Sequence, residues 1–404
     1  MITAEDLAAR LDALGDIGVG PEGVYRLAWT EEDAATRAWF ERQADETGLR
    51  FERDPAGNLW ACPDADPPWW GIGSHLDSVR GGGRFDGPLG VACGFEIAGQ
   101  AGARVAVVSF ADEEGARFNT PLFGSKALAG RLDLPAVLER RDDDGVSLRE
   151  AIGMAGVDPD RLADARPWLD RLAGFLEIHI DQTTELARAG EPIGVVSGLG
   201  ARTRLEVTLR GRADHAGTTP RSERRDALSA AARLIVGAEE EAGADSTLDG
   251  EPSPLTVTAS RIITRPNAPT TITAEVRLWI DARAPSFGPI DAWRGRLEAL
   301  ASELQERSGV EIEFAVASRT DARVFDGALR RDLIRASEDV VGHAAPELVC
   351  FAGHDAGVVG ERVPAAMVFV RNPTGVSHAP EEAIDLEDAA VAARVAALTL
   401  EAVA

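Results

Sequence analysis

The stretch Gly73-Ser-His-Leu-Asp-Ser-Val-Arg-Gly-Gly-Gly-Arg-Phe-Asp-Gly-Pro-Leu-Gly90 is the one around which this chain is organised. An apolar lead-in, Trp69 to Ile72, gives way at once to His75, Asp77 and Asp86, with three consecutive glycines, Gly81 to Gly83, between them. That grammar fits a buried strand whose carboxyl end opens into a loop, the place where α/β sheets gather functional side chains. His75 and Asp86 lie eleven positions apart (86 − 75), and the glycine-rich turn between them lets an imidazole and a carboxylate close on one metal ion. An ordinary strand-turn-helix connection with a surface histidine has the same grammar. The remainder of the chain decides.

At 404 residues the chain exceeds the usual size of a single core, so two domains are expected. Hydrophobic content of 45% and charged content of 27% are those of a soluble globular protein. No window approaches 18 consecutive apolar residues, so no membrane span is expected. A net charge of −25 repels nucleic acid and anionic membranes, which excludes both as expected partners. Cys62, Cys93 and Cys350 are odd in number and widely spaced, against a disulfide framework. The start, Met1-Ile-Thr-Ala-Glu-Asp, lacks the basic and apolar regions of a signal peptide, and a cytoplasmic location is expected.

Thr3 with Asp6 resembles a capping box opening a helix to about Leu14, and a second helix is expected from Thr30 to about Thr47, stopped by Gly48. Short strands near Leu49–Arg53 and Asn58–Cys62 precede the opening strand, and Gly87–Gln100 reads as a helix that starts beside Asp86. Arg104–Phe110 is a β-branched run ending on Ala111-Asp-Glu-Glu-Gly115, and Gly174–Asp181 is another strand with His179 near its carboxyl end. From about Gly200 the character changes. Strands at Thr203–Arg210, Leu255–Thr264, Thr271–Ala282 and Glu311–Ser318 alternate with helices at Arg225–Glu241 and Ile290–Arg307, the ferredoxin-like split order. Residues 1–202 and 319–404 are thus expected to form a doubly wound, mixed-sheet α/β catalytic domain, and residues 203–318 an inserted ferredoxin-like α+β domain.

His75, Asp86, Glu113, Glu114, His179 and His378 each fall at or just after an expected core strand. Strand ends converge in such a sheet, so residues 300 apart can meet. Three imidazoles and three carboxylates exceed what one zinc needs, and with one bridging carboxylate they suit two divalent ions about 3.5–4 Å apart. The absence of cysteine from these motifs favours a catalytic site over a structural thiolate one.

These residues also resemble a known family. His75-Leu-Asp77, Gly-Gly-Arg-Phe-Asp86-Gly, Glu113-Glu114-Gly-Ala-Arg-Phe118, His179-Ile-Asp-Gln182, Asp214-His-Ala-Gly-Thr-Thr-Pro220, Gly353-His-Asp-Ala356 and Gly375-Val-Ser-His-Ala-Pro-Glu381 are similar to motifs of the M20 metallohydrolases. Within them the chain resembles the branch of N-carbamoyl-L-amino-acid hydrolases, allantoate amidohydrolases and β-ureidopropionases. The resemblance implies two divalent ions per subunit (Zn, Mn, Co or Ni), with Asp86 bridging, His75 and His179 completing one site, and Glu114 and His378 the other. It implies that Asp77 accepts the second N–H of His75, and that Glu113 serves as general base and then acid on a metal-bridging water. His354 is read as support for the ligands.

The reaction class implied is hydrolysis of a carbamoyl (ureido) C–N bond beside a carboxylate, on a small ureido carboxylate. Asp281-Ala-Arg283 resembles the Asp-x-Arg of the family's insert, which makes Arg283 the carboxylate reader. Gln182, His215 and Asn267 are the other expected substrate contacts, with His215 donating to the carbonyl oxygen from the partner subunit of a homodimer, the insert acting as lid and dimerisation domain. Some residues depart from the family's usual pattern: Asp181, Thr183 and Thr184 follow His179, and Arg221 stands at a usual methionine. They border the expected pocket. Allantoate is the close alternative substrate, and an M20 aminoacylase or dipeptidase the more distant alternative activity.

Overall fold

The computed structural model describes residues 2–100, 104–244, 247–248, 251–252 and 254–403. In chain order, helices α1 (Ala4–Gly15) and α2 (Glu31–Glu46) are followed by strands β1 (Arg50–Arg53), β2 (Leu59–Cys62) and β3 (Trp69–His75). Helix α3 (Pro88–Gln100), then β4 (Val105–Phe110), β5 (Leu172–Ile180) and β6 (Ile193–Leu199) come next. The insert comprises β7 (Ala201–Arg210), α4 (Ala227–Ala244), β8 (Thr256–Arg265), β9 (Glu275–Ala284), α5 (Phe287–Ser308) and β10 (Glu311–Thr320). The chain closes with α6 (Gly327–Val341), β11 (Ala365–Val370) and α7 (Leu386–Val403).

Local sequence explains the boundaries. Thr3 and Asp6 form the reciprocal capping box of α1, and the Thr30 side chain accepts from Asp33 N at the start of α2. Gly48, at φ +74°, follows the end of α2 in the left-handed conformation.

In the first unit (Met1–Gly198, Phe325–Leu348, Gly353–Ala404) the sheet runs β6-β11-β5-β3-β4-β2-β1. Its four central strands, β11, β5, β3 and β4, are mutually parallel, and β6, β2 and β1 join antiparallel. Strand parity sorts the faces: Leu176, Ile178 and Ile180 of β5 join the core with α1, α3 and α7, while Glu177 and His179 point the other way. A separate cluster around Trp29, Phe123, Leu148 and Ile152 adds a further core. Helix α3 lies close to the sheet because Gly90 has no side chain; a Cβ there would meet Ile178 O at 2.3 Å.

The second unit, Leu199–Val324 with Val349–Ala352, has the sheet order β8-β9-β7-β10, every pair antiparallel. Residues 201, 203, 205, 207 and 209 of β7 are buried against α4 and α5, leaving the even positions on the open face. The order β-α-β-β-α-β is that of the ferredoxin-like fold. No sequence feature marks the return of Val349–Ala352 to this unit. Strand β6 was not expected either, since its two glycines dilute the apolar pattern. No described helix is long and apolar enough to cross a membrane.

Gly73 sits at φ +153° inside β3, and a Cβ there would lie 1.9 Å from Val108 O of β4. Gly73→Ala is therefore expected to cost roughly 3 kcal/mol or more through combined backbone strain and overpacking. It should lower the urea midpoint without changing m; an unchanged midpoint would refute the close approach.

Candidate metal centre

Parallel strands β3, β4, β5 and β11 end along one edge of the sheet. His75 is the last residue of β3, Glu113 and Glu114 follow β4, His179 is next to last in β5, and His378 lies in the loop after β11. These side chains meet around Asp86. Its Oδ1 is 3.1 Å from His179 Nε2 and 3.4 Å from His75 Nε2, and its Oδ2 is 3.6 Å from His378 Nε2. Glu114 Oε2 is 3.4 Å from the same His378 nitrogen. Two donor groups result, each with all its ligand atoms within 4.8 Å of one another: His75, Asp86, His179 and Asp86, Glu114, His378. Asp86 belongs to both. Glu113 belongs to neither, its Oε2 standing 3.9 Å from His75 Nε2.

Backbone carbonyls set the tautomers. His75 Nδ1 lies 3.1 Å from Asp77 O and His179 Nδ1 2.9 Å from Ile180 O, and a carbonyl can only accept. The protons therefore sit on Nδ1, and the Nε2 lone pairs point at Asp86. Both Nε2 atoms are buried with no hydrogen-bond partner. Lone pairs converging on a carboxylate, in this N/O donor set, fit a divalent cation.

The electrostatics carry the same demand. Burial pulls His75 and His179 down, but the surrounding carboxylates outweigh it: His75 is held well above the usual imidazole range and His179 is pushed up to about 9. Burial works against ionised Asp86, yet His179 and His75 hold it well below the usual carboxylate range. Burial lifts Glu113 well above that range, helped by Asp355, Glu114 and Asp77, and pushes Glu114 up to about 8. A proton takes up the charge that a metal ion would otherwise balance.

Two of the expected residues make contacts that the sequence reading did not include. The Asp77 carboxylate is 3.6 Å from His75 Nδ1, too long for a hydrogen bond, and instead accepts from Glu113 N and Glu114 N at 3.1 Å each. Asp77 thus fixes the turn that carries both glutamates, while its main-chain oxygen orients His75. Gln182, expected on the substrate, donates from Nε2 to Asp86 Oδ2 at 2.9 Å, beside Ser377 Oγ at 3.2 Å.

Several residues escaped the sequence reading. Glu382 Oε1 accepts from Phe85 N (2.8 Å) and Asp86 N (2.9 Å), holding the backbone of the central ligand; burial pushes its carboxyl up to about 7. Glu177 accepts from Ser74 Oγ and Ala356 N, each at 2.8 Å, on the face of β5 that also presents His179. The i, i+2 relation of Glu177 to His179 was the available signal. Arg26, fully buried, donates from Nε to Leu76 O at 3.0 Å and faces Asp77 and Glu382. His354, which the sequence reading did single out as support for the ligands, stacks edge-on to His179 with centroids 4.4 Å apart, and burial holds it well below the usual imidazole range.

In the second unit, His215 is exposed, and its Nδ1 accepts from Gly217 N and Thr218 N at 3.1 Å each. Its proton is therefore on Nε2, free to donate. Asn267 is exposed in the loop after β8, whose Thr270 O accepts from Ala216 N at 2.9 Å. Arg283 donates to Asp281 Oδ1 at 2.7 Å and to Phe351 O at 2.6 Å.

Residues 71–402 match peptidase family M20/M25/M40. The chain belongs to that family. It is 37% identical to an N-carbamoyl-L-amino acid amidohydrolase of Geobacillus stearothermophilus, across 98% of this chain and 97% of that one. It is 30% identical to an allantoate amidohydrolase of Bacillus subtilis, across 89% and 88%. A hydantoinase/carbamoylase family amidase of Burkholderia multivorans superposes with a TM-score of 0.84 at 29% identity, covering 99% of this chain and 98% of that one. The segment after His179 is held from within: Asp181 Oδ1 accepts from Thr183 N at 2.9 Å and Thr183 Oγ1 at 2.8 Å, fixing the loop that carries Gln182.

Glu382→Ala is expected to lower metal affinity roughly 10–100-fold, as loss of an outer partner does, with Glu382→Gln milder because it keeps an acceptor. Competition against a chelator measures this. Equal affinities in all three proteins would leave Glu382 no part in holding Asp86.

Proposed function

We propose that this chain is a metal-dependent amidohydrolase that cleaves the carbamoyl (ureido) C–N bond of an N-carbamoyl-L-amino acid. One water is consumed, and ammonia, carbon dioxide and the free amino acid leave. The observation that carries the reading is Asp86 shared between two donor groups, with Glu113 beside them and outside both. The M20/M25/M40 relatives named for N-carbamoyl-L-amino acids in Geobacillus stearothermophilus and Pseudomonas, at 37% and 31% identity, support the substrate class. The Bacillus subtilis relative makes allantoate the second reading, with the same chemistry.

His75, His179 and Asp86 would hold one divalent ion, and Asp86, Glu114 and His378 the other; Zn, Mn, Co and Ni all accept such ligands. When bound, the ions supply Lewis acidity toward the carbonyl oxygen and toward water. Glu113 takes the proton from the attacking water and returns it to the leaving nitrogen; burial, which raises its affinity for a proton, suits that role. His215 Nε2–H donates to the carbonyl oxygen as charge develops there. Arg283, held by Asp281 and Phe351 O, offers its remaining NH2 to the substrate carboxylate.

His215 and Arg283 belong to opposite ends of one strand pair. Arg265, just before the Asn267 loop, pairs with Glu275, whereas Arg283 pairs with Thr256. His215 bridges Thr271 at the Asn267 end. Eight strand residues separate the two ends (283 − 275), or roughly 25 Å at ~3.3 Å each. No small substrate spans that. The reading therefore includes a homodimer, in which His215 and Asn267 of one subunit serve a site whose other groups come from its partner. A cytoplasmic location goes with it, supported by the buried thiols of Cys62 and Cys93, which form no disulfide.

Ammonia release from N-carbamoyl-L-amino acids and allantoate, set against cleavage of N-acetyl amino acids and dipeptides by the metal-loaded enzyme, tests the reaction. Turnover of only the last two would overturn it. Glu113→Gln should retain metal while kcat falls by about 10²–10⁴-fold. Mixing inactive Glu113→Gln and His215→Ala subunits should restore about a quarter of wild-type activity, because half the dimers are mixed and each carries one intact site. No restoration after subunit exchange would place His215 and Glu113 of one site in the same chain.

A further inference from the structure

On the open face of the second unit's sheet, three guanidiniums crowd one carboxylate. In the pairing of β9 with β7, Asp281 stands opposite Arg204 and Arg283 opposite Arg202. The first pair is complementary. The second sets two cations side by side, which is destabilising unless something else neutralises them.

Asp281 is nearly fully committed. Its Oδ1 accepts from Arg283 Nε at 2.7 Å and its Oδ2 from Arg204 NH2 at 3.0 Å. Arg283 NH1 is further held by Phe351 O at 2.6 Å. Arg202 receives almost nothing. Its NH2 reaches Thr320 Oγ1 only at 3.5 Å, and its Nε is buried without an acceptor. Burial, Arg204 and Arg283 all pull this guanidinium below its ordinary basicity, with Asp281 alone opposing them. The imbalance is local. Further along the same face Arg277 is paired with Glu206, and Arg261 and Arg277 lie over the Trp279 ring at 4.7 and 5.0 Å.

Three arginines and one aspartate leave a net charge of +2 at this end of the sheet (3 − 1), on a chain whose net charge is −25. A substrate with a single carboxylate, read by Arg283, leaves +1 at this end of the sheet, and a second carboxylate on the outer nitrogens of Arg202 neutralises it. Adjacent strands are about 4.8 Å apart, a span that two carboxylates on one small amino acid can cover, with Arg283 offering its remaining NH2 to one and Arg202 its outer nitrogens to the other.

We infer that Arg202 forms, beside Arg283, a subsite for a second carboxylate, so that the preferred substrates are ureido dicarboxylates of the N-carbamoyl-aspartate or N-carbamoyl-glutamate type. This rests on the proposed amidohydrolase reading and narrows its substrate class. Arg283 takes the carboxylate next to the ureido group, and Arg202 takes the one on the side chain.

Steady-state kinetics on N-carbamoyl-L-aspartate, N-carbamoyl-L-glutamate, N-carbamoyl-L-alanine and N-carbamoyl-L-methionine provide the test, with wild type, Arg202→Met and Arg202→Lys. Wild type should favour the acidic pair by about tenfold or more in kcat/KM, since a site built to bond a polar group discriminates against substrates lacking it. Arg202→Met should reduce that acidic-over-neutral ratio by about tenfold, through KM, and Arg202→Lys should restore part of it. No wild-type preference, or an equal loss on all four substrates, would overturn the inference. Calorimetric binding of N-carbamoyl-L-aspartate and of succinate separates the two claims. If wild type turns over no ureido compound but binds these dicarboxylates, and Arg202→Met does not, the reaction reading fails and the subsite stands. Binding unaffected by Arg202→Met removes the subsite.

Discussion

The centre of this protein depends on one buried carboxylate being shared. Asp86 has two oxygens, and around them stand three imidazole nitrogens, the Gln182 amide and the Ser377 hydroxyl. Gln182 and Ser377 donate to Oδ2, and the imidazole nitrogens crowd both oxygens without donating to them, the arrangement of a carboxylate shared between two donor groups. Burying so many ionisable groups is expensive unless opposite charge accompanies them. The nearby residues are arranged to keep that charge concentration in one geometry. Glu382 holds the Asp86 backbone, Asp77 holds the backbone of Glu113 and Glu114, and two main-chain carbonyls aim the imidazoles.

The fold supplies the stiffness this requires. His75 and His179 stand on parallel central strands whose flanking residues are wholly buried, so their positions are tied to the core. His378 is held differently. It lies in a loop at φ +59°, an uncommon conformation for a side-chain-bearing residue, with its side chain half exposed. Such strain persists only where the surroundings over-determine it, and it is commonest at functional sites. One donor group is therefore built from rigid strand ends, and the other closes through a loop.

Much of this was legible in the sequence, because the signals were local. The β-branched run ending on Glu113-Glu114 and the glycine turn before Asp86 are each short local patterns, and the split order of the insert is read from one local element after the next. What escaped was the second layer. Glu382 is one of two adjacent glutamates, and only the fold decides which of them turns inward to Asp86. The family resemblance assigned Asp77 to His75, yet the loop after β4 arrives from thirty-six positions away and its backbone N–H donates to that carboxylate. Arg26 and Glu177 are ordinary charges until burial removes the water around them. Sequence spacing reveals which residues can chelate, whereas hydrogen bonds between distant segments decide which residues hold them.

The insert poses a separate constraint, and it is one of length. A β-strand advances about 3.3 Å per residue, so residues on one small sheet cannot all reach one small molecule. His215 and Asn267 share one end of the β8–β9 pair, and Arg202, Arg204, Asp281 and Arg283 share the other. In the proposed homodimer, two-fold symmetry would put opposite ends of identical sheets to joint use, by presenting one end of each copy to its partner. It would also separate the tasks. The His215 end carries a donor whose tautomer is fixed by two backbone N–H groups, suited to a developing oxyanion. The arginine end carries fixed positive charge, suited to groups that are anionic before and after reaction. On the proposed reading, a substitution at the arginine end would change which amino acid is accepted without disturbing the His215 donor.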